Sequence, residues 1–423
     1  MRFRLRLLLI AALLVVACLA GAQSKTISPY AKNKVREALI EMLSENAFVP
    51  GVDFASLPSL FDQNKAKFDE ARTEDEFRDA TNSVLSKLGI SHVVVLSPTQ
   101  SEQRHSQATI GIGIRARYLA KDKQVEIVEV FDETPAKAAG LEPGDVIAKV
   151  NGEPLESSTQ MLGREGEAVD LDVQKYKGKM VHLHIVRVKY SLVRPPTLEF
   201  PSPDVALLKI PTFDMTYSRD NVENLIDKAS NAKSLIVDLR GNPGGAVINM
   251  IHLISVLTPA QTDIGTFVSK RLVRNYLKQN PDAKIDVVKI AQWTPEESAD
   301  RIKTPTMRPA AFDGKLVVLT DAGSGSAAEI AAAALKENRG ATLIGTKTAG
   351  KVLVSMLREL PMGFEVEFPV MDYVTLRGIR LEGNGLAPDI QVADPPVFRK
   401  DVKDEVVAQA IKFISDTAAK IAA

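Results

Sequence analysis

Apolar residues recur with a helical period over 28–89, where Val35, Leu39 and Leu43 stand four apart, and the segment "FVPGVDF" interrupts the run. A short helical region is therefore expected at the start. Over 106–189 the period drops to two. The runs "QVEIVEVF", "DVIAKVNG" and "MVHLHIVRV" alternate between glycine-rich turns, with one helical stretch, "TPAKAAG". This predicts a β-rich module of about 85 residues. After "VRPP" the strands become continuously apolar: "DVALLKI", "SLIVDL", "KLVVLT" and "TLIG". Helical segments near 219–232, after Gly245 and after Ser326 separate them, the pattern of an α/β core around a parallel sheet buried on both faces. The prolines and mixed charge of 263–312 predict no element. Val402, Val406, Ala410 and Ile414 share one face of a final helix suited to docking.

The 423 residues carry 45% hydrophobic and 25% charged side chains, enough for more than one core. Basic and acidic residues balance at 53 each, so charge marks neither a nucleic-acid nor an anionic-membrane binder. The opening "MRFRLRLLLIAALLVVACLAGAQSK" has a basic start, an apolar run and small residues, the form of a secretory leader. The run is shorter than the roughly 20 residues that span a bilayer. Cleavage after Ala22 suits an ordinary leader, whereas "VVAC" resembles a lipobox that would acylate Cys18 and end the leader at 17. Cys18 is the only cysteine, which excludes an intramolecular disulfide. The expected location is the periplasm or cell envelope, or the medium, with any membrane attachment made through Cys18.

The segment "GSGSAAEI", 323–330, holds two serines at the start of a helix. Ser326 and Glu329 fit a capping box, which would account for both without catalysis. A nucleophile in this place would need a distant base, and a helix start also directs free amides at a developing negative charge. The turn "VDLRGNPGG" leaving a buried strand can set the amide of Gly244 or Gly245 opposite that of Ala327 as an oxyanion hole. A lysine could serve as that base only if burial keeps it neutral. No HExxH, paired CxxC or Walker-type loop occurs, and no metal or cofactor is expected. His182 and His184 alternate on a strand as pattern, and His105 and His252 have no evident partners.

Two resemblances sharpen this reading. "TIGIGI" followed by "ETPAKAAGLEPGDVIAKVNGEPL" resembles a PDZ domain, in which Gly111, Ile112, Gly113 and Ile114 would hold a peptide's terminal carboxylate in a nest of amides while the peptide adds a strand. "VDLRGNPGG", the serine segment and "IGTKTAGK" together resemble the C-terminal processing, or tail-specific, serine proteases, in that family's order and over roughly 30–395. That resemblance implies a ClpP/crotonase-like core, Ser326 as nucleophile and Lys351 as general base. The chain departs from the family pattern at Ser355, where glutamine is common, at "AGKV" for "FGKG", and at Ala328 for the third motif serine. "GISHVVVLS" and "LEGNGLAPD" are similar to segments of tricorn-type proteases that supply a histidine and a glutamate, making His92 an alternative base and Glu382 its orienter.

The expected organisation is a leader over 1–22, a helical segment over 26–100, the PDZ domain over 104–190, the protease core over 192–395 and a helix over 399–421. The expected function is that of an exported serine endopeptidase acting on polypeptides with free C-termini. A non-catalytic peptide- or ligand-binding relative of the same fold is the alternative, and the oligomeric state is left open.

Overall fold

The computed structural model describes residues 25–119, 122–155, 163–305, 312–393, 399 and 401–422. The leader and Cys18 lie outside the described residues. The chain divides into two compact units, one containing Ala108–Ser191 and the other Tyr30–Asp69, Arg78–Gln107 and Leu192–Ala423.

In the larger unit a six-stranded sheet runs in the order 197–202, 205–209, 234–238, 315–320, 342–345, 390–391. Every neighbouring pair is parallel except the first. The four continuously apolar runs occupy its interior, and successive residues feed opposite cores. Leu235, Val237, Leu316 and Val318 pack toward the helices Val247–Ser255 and Ala327–Arg339. Ile236, Val317 and Leu319 pack toward Val406, Ala410 and Ile414 of the helix Glu405–Ala422. Side chains on a strand alternate between faces, so a sheet covered on both sides requires this unbroken apolar pattern.

A second, five-stranded sheet centres on the long strand Glu365–Thr375, flanked by Val94–Leu96, Val354–Glu359 and Asp263–Ser269, with Arg301–Lys303 beyond. Asn82, on the helix Glu74–Leu85, clamps Val95 through both backbone groups, at 2.9 and 2.7 Å. This fixes the short strand that follows His92. The stretch without an expected element, 263–312, supplies Asp263–Ser269 and the helices Lys270–Gln279 and Val287–Trp293.

The smaller unit is a sheet in the order 114–119, 124–130, 146–150, 168–174, 180–186, with a separate pair made by 108–111 and 188–191. Its core gathers Ile112, Val125, Ile127, Ile147, Leu171 and Val173. Asp145 of "GLEPGDVI" is fully buried and accepts from the amides of Glu142 and Tyr176 and from Lys175. The turn is thus tied down by a satisfied charge.

Candidate active site

Ser326 stands between the strand Lys315–Thr320 and the helix Ala327–Arg339, at φ +53° and ψ −120°. Such a conformation costs a non-glycine residue about 1–3 kcal/mol and persists only when its surroundings impose it. Here they do. The Ser326 amide donates to the carbonyl of Lys351 at 2.8 Å and to the Glu329 carboxylate at 3.2 Å. Glu329 is fully buried and also accepts from the amides of Gly350 (2.8 Å) and Lys351 (2.9 Å) and from the Thr348 hydroxyl. The Glu329 arm of the expected capping box therefore belongs to a larger knot that binds the serine turn to 348–351. Gly244 lies directly against this turn. A Cβ at Gly244 would fall 2.6 Å from Cβ of Ser326, and its φ of +101° suits glycine alone.

Ser324 serves the scaffold. It is fully buried, donates to the Leu239 carbonyl at 2.8 Å and to Asp321 at 3.1 Å, and accepts from the Asp321 amide at 3.0 Å.

The Ser326 hydroxyl faces His92, with Oγ 3.2 Å from Nε2. On the other side of the ring, Nδ1 lies 2.6 Å from Oγ of Ser91, whose hydroxyl donates to Glu382 at 2.9 Å. Glu382 is 7% exposed and also accepts from the amides of Ser91 (3.0 Å) and Val352 (2.7 Å). One proton assignment satisfies every bond in the chain. Glu382 accepts from Ser91, Ser91 accepts from Nδ1–H of a neutral His92, and Nε2 is left to accept from Ser326. Burial pushes the imidazole below its ordinary value of 6.5, and Lys351 adds to this. Glu367, Glu382 and Glu329 oppose them. The net direction keeps the ring neutral and its Nε2 lone pair available.

Lys351, expected to act as the base, has an exposed side chain and meets the serine turn through its main chain, accepting from Ser326 and donating to Glu329. The burial that a neutral lysine requires is absent there. A hydroxyl relay has no characteristic spacing, so the sequence marks Ser91 only by its place beside His92. The other four histidines are engaged away from Ser326: His105 with Glu365, His182 with Asp172, His184 with Asp170, and His252 with Tyr217 and Glu223. Among the described residues no group of three or more His, Cys, Asp or Glu is arranged to hold a metal ion.

The two glycines expected at the oxyanion position are not equivalent. The amide of Gly244 donates to Oδ1 of Asn242 at 2.8 Å and is committed there. Gly245 is exposed, with φ +139°, and its backbone is locked by a parallel bridge to Phe213, where a Cβ would fall 2.2 Å from the Phe213 carbonyl carbon. Ala327 is the first residue of its helix, where amides lack intrahelical acceptors.

In the smaller unit, Gly111 closes the strand Ala108–Gly111 and Ile114 opens the strand Ile114–Leu119. Ile112 is buried in the core, while its carbonyl accepts from Ala136 at 2.8 Å. Gly113 has φ +91° and packs so closely on Thr134 that a Cβ would lie 2.2 Å from that side chain. The strand Ile114–Leu119 is an edge strand among the described residues, paired only with Gln124–Val130.

A serine at a helix start facing a neutral, carboxylate-oriented imidazole, on an α/β core in a chain with a β-rich module, has the form of a serine hydrolase site. The model of peptidase family S41 matches residues 204–392, and the PDZ domain model matches 99–185. The chain is 28% identical over 297 residues to a probable CtpA-like serine protease of Staphylococcus haemolyticus, an alignment spanning 67% of this chain and 53% of that protein. It is 26% identical over 358 residues to the carboxy-terminal processing protease CtpA of Bacillus subtilis, spanning 82% and 70%. The chain thus covers about half the length of the staphylococcal relatives. A solved putative S41 protease of Bacteroides fragilis shares the fold, with a TM-score of 0.58 at 16% identity over 93% of this chain and 99% of that one.

Proposed function

We propose that this protein is a serine endopeptidase of the C-terminal processing kind, with Ser326 as nucleophile and His92 as general base. The observation that carries the reading is the unbroken relay Ser326–His92–Ser91–Glu382. Ser326 Oγ attacks the scissile carbonyl as its proton passes to Nε2 of His92. The oxyanion accepts from the amides of Gly245 and Ala327, the second at a helix N-terminus whose dipole favours negative charge. His92 then gives its proton to the leaving amine, an acyl group remains on Ser326, and water repeats the sequence to release it. Ser91 and Glu382 hold the ring in the required tautomer and stabilise the imidazolium. Lys351 is left the role of shaping the serine turn through its backbone.

The match to the PDZ domain model supports polypeptides with free C-termini as the substrate class. A free C-terminal carboxylate is held by the amides around Gly111, Ile112, Gly113 and Ile114, and the peptide adds to the edge strand Ile114–Leu119. The leader-like start, 1–22, supports action outside the cytoplasm, with or without a lipid on Cys18. The test is active-site labelling of the intact chain with a fluorophosphonate, followed by mapping of the modified residue. Labelling is expected at Ser326, absent from Ser326→Ala and strongly slowed in His92→Ala. Undiminished labelling of Ser326→Ala would overturn the reading.

A further inference from the structure

Ser355, where the C-terminal processing proteases commonly carry glutamine, has a partner that the relay leaves unused. Its hydroxyl donates to Glu367 at 2.6 Å. Glu367 lies on the central strand Glu365–Thr375, paired on one side with Val94, two residues beyond His92, and on the other with Leu357. Residues two apart on a strand share a face, so Ser355 lies on the same face as Leu357 and Glu367, as the observed bond requires. The Glu367 carboxylate is four-fifths buried and its second oxygen faces Arg104, at 3.2 Å, from the helix Pro98–Ser106. Of the carboxylates acting on His92, Glu367 favours the protonated ring most, ahead of Glu382 and Glu329, while Lys351 opposes them.

We propose that Glu367 is a second carboxylate serving His92, a positioning residue that stabilises the imidazolium across space, and that Arg104 sets its strength by partial neutralisation. This rests on His92 being the base. Glu382 reaches the ring only through Ser91, which fixes its orientation. Glu367 supplies charge without a bond, and Ser355 and Arg104 hold that charge in place. An imidazolium forms during acylation, so a nearby carboxylate with restricted access to water favours that step more than it favours the ground state.

The two charged partners act with opposite sign. Glu367→Gln keeps the shape and removes the negative charge; the acid limb of kcat/KM should move to lower pH by about half a pH unit or more, with lower kcat at neutral pH and little change in KM. Arg104→Gln leaves Glu367 less compensated; the acid limb should move to higher pH. The same two shifts should appear in the titration of the His92 ring by NMR on full-length chains carrying Ser326→Ala, a readout independent of turnover. A purely structural role would lower activity in both variants without opposed shifts. If His92→Ala abolishes activity but neither variant moves the His92 titration, this inference fails and the base assignment stands. If His92→Ala retains most activity, the base assignment itself fails.

Discussion

At the scale of single residues, the choice between His92 and Lys351 turns on desolvation. Both are bases only when neutral. Burial costs an imidazole its charge within reach of neutral pH, and the exposed Lys351 side chain has no such burial. His92→Ala should lower kcat by about four orders of magnitude, as expected for a group acting as a unit with its nucleophile, and Lys351→Met should leave activity within about tenfold. Steady-state kinetics on a peptide substrate decides this, and the reverse ranking would return the base to Lys351. Because the folded-state value of His92 lies below 6.5, the acid limb of kcat/KM should fall below pH 6.5. The sign carries over to folding. Between the folded value and 6.5 the unfolded chain binds more protons, so this histidine's contribution to stability is full above about pH 6.5 and declines as pH falls. Denaturant titrations of the parent and of His92→Gln, compared across that range, should show the decline only in the parent. Motif and segment resemblance single out Ser326, His92 and Glu382, and the fold brings these three into one hydrogen-bonded chain. Neither the burial that ranks His92 over Lys351 nor the relay through Ser91 is legible, since both arise from contacts spanning more than 200 residues.

At the scale of elements, the turn 240–245 meets the serine turn along a glycine backbone. Gly244→Ala forces a Cβ to 2.6 Å from Ser326 Cβ and 3.0 Å from the Ala327 amide nitrogen, at a φ that L-residues resist. The expected result is a loss of kcat of at least a hundredfold in a chain that still unfolds cooperatively, read by kinetics beside a denaturant titration. Near-wild-type turnover would mean that the two turns separate more easily than their packing implies. The same turn is anchored from behind by Arg240, buried and paired with Asp238 at 2.7 Å and with Asp404, at the head of the final helix, at 2.8 Å. Removing one member of such a buried group typically costs about 3–5 kcal/mol, so Arg240→Met should shift the denaturation midpoint strongly, with activity falling in proportion to the folded fraction. The parallel sheet was readable because burial on both faces writes long apolar runs. The elements within 263–312 were not. Asp263–Ser269 is a strand because the distant Glu365–Thr375 pairs with it, and Lys270–Gln279 follows with charged residues over most of its surface.

At the scale of the whole molecule, tail recognition requires that a terminal carboxylate, and not only a scissile bond, contribute to binding. A carboxylate among amide donors makes charge-assisted bonds, and amidation removes the charge while setting a donor against donors. The full chain carrying Ser326→Ala should therefore bind a peptide with a free apolar C-terminus at least tenfold more tightly than its amidated twin, about 1.4 kcal/mol, measured by calorimetry. Cleavage-site binding alone would be indifferent to amidation of a distant terminus. The effect is assigned to the PDZ domain by Gly113→Val, since a side chain at φ +91° must displace Thr134 and with it the register of the loop against the helix Pro135–Ala138. That variant should lose the discrimination between the two peptides, while the corresponding chain with Ser326 intact still reacts with a fluorophosphonate at the parent rate. Equal affinities for the two peptides in the Ser326→Ala chain would remove tail recognition from this domain and leave the choice of substrate to the cleft around Ser326.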